Sequence, residues 1–230
     1  AGVDRYRPDS FVLEGGSIHV DGEGTVMTTE MCLLSEGRNP ELSKEQIENY
    51  LCEYLGVDKV IWIKDGIDPE ETNGHIDDVA CFVRPGEVAC IWTDDEDYPF
   101  YRQCHEAYDT LAAATDAKGR QLKVYKLPMP VKPLYMDQTS CDTIDVDENA
   151  EPRVADEPLI ASYMNYLVTN GGVIVPQYGD ENDVLAAQTL QEIYDEVWGA
   201  GAYKCVGVQS EQVVFGGGNI HCITQQEPTA

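Results

Sequence analysis

Apolar and polar positions along the 230 residues fall into a recurring order of two short strands, a helix and a third strand. The first instance begins with Ser17-Ile18-His19-Val20, turns through Asp21-Gly22-Glu23-Gly24 and continues as Thr25-Val26-Met27-Thr28-Thr29, the pattern of a hairpin. Ser43 then stands where an N-cap belongs, and Ile47, Tyr50, Leu51, Tyr54 and Leu55 follow at helical spacing until Gly56 ends the run. Val60-Ile61-Trp62-Ile63 closes the unit as a strand.

The second instance predicts a strand from His75 to Val83, a turn at Arg84-Pro85-Gly86-Glu87, a strand from Val88 to Thr93, a helix near Pro99 to Ala114 and a strand from Leu122 to Leu127. The third predicts a strand from Ser162 to Val168, a turn at Asn170-Gly171-Gly172, a strand from Val173 to Pro176, a helix near Val184 to Trp198 and a strand from Tyr203 to Val208. Val213 to Thr224 opens a fourth. Such units cannot bury an apolar face alone, and a closed ring leaves no free sheet edge. The expectation is therefore an α/β propeller of ββαβ units, here an incomplete ring of about three and a part, forming one domain over residues 1–230. Residues 137–156, rich in Asp, Glu and Pro, read as an acidic insertion loop.

Charge narrows the class of partner. The net charge of −27 disfavours phosphate contacts with nucleic acid and anionic membrane surfaces, and it suits a small cationic substrate. Most of these carboxylates are expected to do no more than solvate the surface. No run of about 18 apolar residues and no charged-then-apolar leader is seen, so a soluble protein is expected. Eight cysteines without a Cys-x-x-Cys pair read as reduced thiols of a cytoplasmic protein, with Cys81, Cys90 and Cys205 as small buried hydrophobes. Self-association into a homo-oligomer is left open.

Candidate chemistry gathers in three short stretches. Glu14-Gly15-Gly16-Ser17-Ile18-His19 and Gly217-Gly218-Asn219-Ile220-His221 share a Gly-Gly, polar, Ile-His pattern, but only the second continues into a cysteine, Cys222. Glu14 precedes the first glycine bend as Phe215 precedes the glycine run of the other copy, and it serves either the backbone donors of the bend or a histidine. His75 and Asp77, read on one strand, share a face, while Ile76 and Asp78 point away. Cys222 and His221, read as extended, face opposite ways, which makes His75 the better base. The glycines beside Cys222, with Gly217 and Gly218 foremost, allow a ligand to approach the backbone, and Asn219 adds a polar group. A zinc site from Glu14, His75, Asp77 and Cys222 competes but is disfavoured, since structural zinc ligands come in closely spaced pairs of Cys or His. No metal is expected.

The stretches Phe11 to His19, Thr72-Asn73-Gly74-His75-Ile76-Asp77, Thr93-Asp94-Asp95-Glu96 and Gly216 to Gln226 resemble the agmatine deiminase branch of the guanidine-modifying, or pentein, superfamily of five-bladed ββαβ propellers. The resemblance implies Cys222 as nucleophile, His75 as general acid and base, Asp77 as a guanidinium-binding carboxylate and Glu14 as the group that holds the histidine charged. It implies a hydrolase that converts agmatine and water to N-carbamoylputrescine and ammonia through a thiouronium on Cys222, a step in putrescine formation, without a cofactor. The family's N-terminal part, with its Trp-x-Arg-Asp type motif, has no match here, and the chain lacks an initiator Met, so an N-terminally incomplete chain is expected. Arginine deiminase and amidinotransferase chemistry, or an inactive truncated chain, stand as alternatives.

Overall fold

The computed structural model describes residues 7–68, 72–144, 154–155 and 157–227. In the first unit, β1 (His19–Val20) pairs antiparallel with β2 (Thr25–Thr29). The Asp21 carboxylate closes their hairpin by accepting the Glu23 and Thr25 N–H groups at 2.7 and 2.8 Å. The short α1 (Glu30–Leu33) and the longer α2 (Lys44–Leu55) lead to β3 (Lys59–Ile63), which lies parallel to β2. Ser43 and Gln46 form a reciprocal capping box at the start of α2, and Gly56 ends it in the left-handed region at φ 65°.

The second unit repeats this order as β4 (Ala80–Arg84), β5 (Glu87–Trp92), α3 (Tyr101–Ala113) and β6 (Lys123–Pro128), with one antiparallel and one parallel pairing. Next, β7 (Leu134–Tyr135) pairs antiparallel with β8 (Pro158–Leu159), so the two arms of the acidic insertion are tied at its base. Between them, α4 (Gln138–Cys141) is capped by the Asp137 side chain. Asp145 and Asp147, which charge alone marks as candidates for holding a substrate's far amine, lie outside the described residues.

The third unit consists of β9 (Leu167–Thr169), β10 (Gly172–Gln177), α5 (Asp183–Trp198) and β11 (Lys204–Gln209), and α6 (Glu211–Val214) follows it. One packing rule relates the units. Helix α3 packs on β3 of the unit before it, α5 packs on β6, and the first strands β1 and β4 touch. Their apolar positions explain this, because Cys104, Ala107 and Leu111 of α3 and Ala186, Leu190, Ile193 and Val197 of α5 recur every three or four residues and are all buried. The result is the α/β pentein propeller architecture, with three complete ββαβ units among the described residues. None of the described helices is long and apolar enough to cross a membrane. All eight cysteines are free; Cys81 and Cys90 are buried, and Cys205 is half-buried.

Three elements differ from expectation. The strand predicted from His75 begins only at Ala80, and Ile76–Asp78 form a 3-10 turn closed by the Val79 N–H on the Ile76 carbonyl at 2.9 Å. Alternation is no guide there, because His75 through Val83 are all buried. The strand predicted from Ser162 begins at Leu167, after a buried turn. The fourth unit does not open with a strand; α6 is followed by turns through Ile220–Ile223. Three successive glycines there favour tight bends over an extended ladder.

Leu111 is fully buried on α3, so Leu111→Ala should lower the unfolding free energy by about 2–5 kcal/mol in a denaturant titration, through lost apolar contact and the cavity left behind. A loss below about 1 kcal/mol would mean that α3 does not seat on the sheets in this way.

Candidate active site

The turns that precede β1, β4 and β9 sit at equivalent ends of the three units, and the glycine-rich turn after α6 joins them. Glu14 is the residue before the 3-10 turn Gly15–Ser17, and Ser17 donates its N–H and hydroxyl to the Glu14 backbone carbonyl at 3.1 and 2.6 Å. The Glu14 carboxylate is thereby left for other partners. Arg38 grips it from two nitrogens, with Nη2 at 2.9 Å from Oε1 and Nε at 3.1 Å from Oε2, and the Nε2 atom of His75 lies 3.4 Å from Oε2. Burial opposes ionisation, but the Arg38 guanidinium and the His75 imidazole keep the Glu14 carboxyl below its ordinary value of 4.5. Of the two roles open to Glu14, the side chain takes the one beside a histidine.

His75 is placed by a strained turn. Asn73 and Gly74 both adopt positive φ, at 53° and 76°, and the Thr29 hydroxyl donates to the Gly74 carbonyl at 2.6 Å. A Cβ on Gly74 would lie 2.9 Å from the Cα of Gly66, and one on Gly66 would lie 2.4 Å from the Cα of Gly74, so the two backbones meet as closely as glycine permits. Arg38 also bonds the Asn73 side chain and the Thr72 carbonyl. Gly16 opens space on the other side, since a Cβ there would approach His75 Nδ1 to 2.6 Å and Asp77 Oδ2 to 2.9 Å.

The 3-10 turn places Asp77 and Asp78 side by side, both buried, instead of on opposite faces as a strand would. Asp77 Oδ2 accepts from His221 Nδ1 at 2.8 Å and lies 3.4 Å from Cys222 Sγ, while Asp77 Oδ1 is buried and has no hydrogen-bond partner among the described residues. Burial, together with the charge of Asp77, raises the Asp78 carboxyl well above the carboxylate range. The expectation that Cys222 and His221 diverge is corrected here. Their turn lets both side chains reach Asp77.

Cys222 has room because of Gly218, where a Cβ would lie 2.8 Å from both Cβ and Sγ of the cysteine. Partial burial of the sulfur and the charges of Asp77 and Asp78 push its thiol up to about 12, against hydrogen bonds from the Asn219 backbone and the Asn165 side chain. Asn219 itself is fully buried, with Nδ2 donating to the Tyr178 hydroxyl at 3.2 Å and Oδ1 accepting the Ile220 N–H at 2.9 Å. Both ends of its side chain thus make contacts within the protein. Of the three residues expected to meet substrate, Gly217 alone lines the cavity, and Gly218 stands behind the sulfur.

That cavity measures about 710 Å³ and is lined by Glu14, His75, Asp77, His221 and Cys222 at its polar end and by Phe82, Met164, Tyr166, Tyr194 and Tyr203 farther along. Among the described residues, no Lys or Arg lines it. The donor atoms of the four residues weighed as a zinc set do not form one group: Glu14 and His75 group with Cys32, and Asp77 and Cys222 group with Asp78. Arg38, Asn165, Asp78 and His221 were not singled out by spacing. For Asp78 and His221 the signal was present, since both adjoin chosen residues, but an extended reading turned them the wrong way.

Comparison with known proteins fits this geometry. The model of the Porphyromonas-type peptidyl-arginine deiminases matches residues 1–228. The chain belongs to that family. Identity reaches 62% over 226 residues with a relative from Enterococcus faecalis, covering 98% of this chain and 60% of that one. A Pseudomonas aeruginosa relative named agmatine deiminase is 50% identical over 224 residues, which are 97% of this chain and 59% of that protein. Among solved structures, the agmatine deiminase of Enterococcus faecalis superposes with a TM-score of 0.93 at 62% identity, over 98% of this chain and 60% of that one. A substrate-bound agmatine deiminase of C. jejuni gives 0.74 at 31%, over 92% and 55%. This member of the deiminase family spans about 60% of the length of the curated relatives it matches.

Because the folded Glu14 carboxyl is depressed, its contribution to stability is present above its ordinary value of 4.5 and is lost as pH falls through the lower folded value. Glu14→Gln removes that titration. The stability gap between wild type and Glu14→Gln should thus be full at neutral pH and close in acid, as read by denaturant titrations across pH; a gap constant down to pH 3 would contradict the assignment.

Proposed function

We propose that the protein hydrolyses agmatine to N-carbamoylputrescine and ammonia, acting in the cytoplasm as a step toward putrescine. The observation that carries this reading is the polar end of the cavity, where a sulfur stands 3.4 Å from a buried carboxylate whose other oxygen has no partner among the described residues. A planar guanidinium supplies the missing donors and the missing positive charge together. Its presence lowers the cost of forming the Cys222 thiolate, because the cation offsets Asp77 and Asp78.

The thiolate then adds to the central guanidinium carbon. His75 protonates the departing nitrogen, which leaves as ammonia, and an S-alkylthiouronium remains on Cys222. Water, losing its proton to His75, adds to the same carbon; the C–S bond breaks and the ureido product departs with its new oxygen. Asp77 holds the substrate nitrogens, and Glu14, fixed by Arg38, orients His75.

Agmatine is favoured over arginine by the cavity wall. Arginine brings an α-carboxylate that calls for a cation, and the described residues of the lining supply none. The relatives named agmatine deiminase point the same way. Amidino transfer to an amine uses the same first half of the sequence and differs only in the second acceptor.

Ammonia release should therefore occur with agmatine and fall by about 10³-fold or more in Cys222→Ala, with wild-type kcat/KM for arginine well below that for agmatine. Release that survives the substitution, or a preference for arginine, would overturn the reading.

A further inference from the structure

Asn165 lies in the turn before β9 and is fully buried. Its Oδ1 accepts the His221 N–H at 2.9 Å and the Cys222 N–H at 3.3 Å. Its Nδ2 lies 3.0 Å from Asp78 Oδ1 and 3.1 Å from Cys222 Sγ. Donor chemistry fixes which amide atom is which. Backbone N–H groups can only donate, so the atom that faces them is oxygen, and the atom that faces Asp78 and the sulfur is the nitrogen. Its two N–H bonds are then fully assigned, one to a carboxylate and one to the sulfur. The Asn165 backbone carbonyl also accepts from the His221 N–H, at 3.2 Å.

We propose that Asn165 is a further catalytic residue of this site, one that seats the His221-Cys222 turn and stabilises the thiolate at Cys222. A thiolate formed there would add a negative charge beside Asp77 and the buried Asp78 carboxyl, and among the described residues the amide N–H of Asn165 meets it together with the Asn219 backbone. An apolar side chain could fill the volume. It would leave the Cys222 N–H and the Asp78 carboxyl without this partner and remove one donor from the sulfur, while the His221 N–H kept the Asn165 backbone carbonyl. The same amide that holds the turn by its oxygen thus aims its nitrogen at the reacting atom, so position and charge stabilisation are set by one rigid plane.

This inference deepens the reading of Cys222 as nucleophile and rests on it, but its test needs no turnover. The probe is iodoacetamide, with carboxamidomethylation of Cys222 followed by peptide mass spectrometry between pH 7 and 10, and with half-buried Cys52 of α2 as the internal reference for an intact fold. Asn165→Ala should slow alkylation of Cys222 about tenfold and leave Cys52 unchanged, the loss expected of one hydrogen bond to a charged group. Asn165→Asp has the same shape and still accepts both backbone N–H groups, but it turns an oxygen toward the sulfur; it should slow Cys222 at least as much. Equal or faster alkylation of Cys222 in Asn165→Asp, with Cys52 unchanged, overturns the proposal. Should neither variant fold, the wild-type protein decides: one Asn165 side-chain amide proton resonance should move in step with thiolate formation at Cys222 as pH rises, and a resonance that stays fixed through that titration overturns it. Loss of turnover in Cys222→Ala bears on the underlying reading alone, so the two failures are told apart.

Discussion

Two carboxylates confined beside one sulfur set the terms for the rest of the site. Asp77 and Asp78 are adjacent in sequence, buried together by the 3-10 turn, and bonded by no Lys or Arg among the described residues. Burying like charges side by side is costly, and the site meets the cost in part by raising Asp78 above the carboxylate range. Burial of the sulfur, together with the same two carboxyls, also raises the Cys222 thiol, and an arriving positive charge opposes that rise. Under the proposed function, charge favours a planar cation before any shape is considered, because a cation relieves the imbalance, a neutral molecule leaves it and an anion worsens it.

The repeat architecture explains why these groups meet. Each ββαβ unit presents the turn before its first strand at the same end, so Glu14, His75 with Asp77, and Asn165 arrive from successive units at one place. The last turn adds Cys222. Glycines at 16, 66, 74 and 218 are then required by close approach, since a Cβ at any of them would fall under 3 Å from a site residue or from the turn that holds one. Arg38, far from any motif, completes the frame by locking Glu14 and the Thr72-Asn73 turn at once. Elsewhere in the same cavity a second sulfur and imidazole, Cys81 and His19, lie 3.1 Å apart, yet they stay neutral: burial lowers His19 to about 4 and raises Cys81 to about 12. Contact between sulfur and imidazole is therefore not what distinguishes Cys222. Its neighbouring carboxylates and its solvent exposure are.

Much of this was legible in the residues and some was not. The helices α2, α3 and α5 and the hairpins of all three units follow from periodicity and turn chemistry, which act locally. Glu14, His75, Asp77 and Cys222 could be chosen because their motifs are compact and Gly-rich. What failed was alternation. An extended reading of the strand from His75 and of the His221-Cys222 pair, where the chain in fact turns, sends Asp78 and His221 away from the sulfur. Arg38 and Asn165 were invisible for a different reason: each acts across more than twenty residues of intervening chain, and neither stands in a pattern that a single sequence exposes.

The requirement for a cation is the claim most directly open to measurement. Labelling of Cys222 by 2-chloroacetamidine, a planar cation, and by 2-chloroacetamide, its neutral counterpart, compares two electrophiles that differ mainly in charge. At neutral pH the account predicts that the cation reacts at Cys222 faster by about tenfold or more, as one unit of thiol pKa would give, with the advantage shrinking in Asp77→Asn. Equal rates for the two reagents, or an advantage that Asp77→Asn leaves intact, would contradict it.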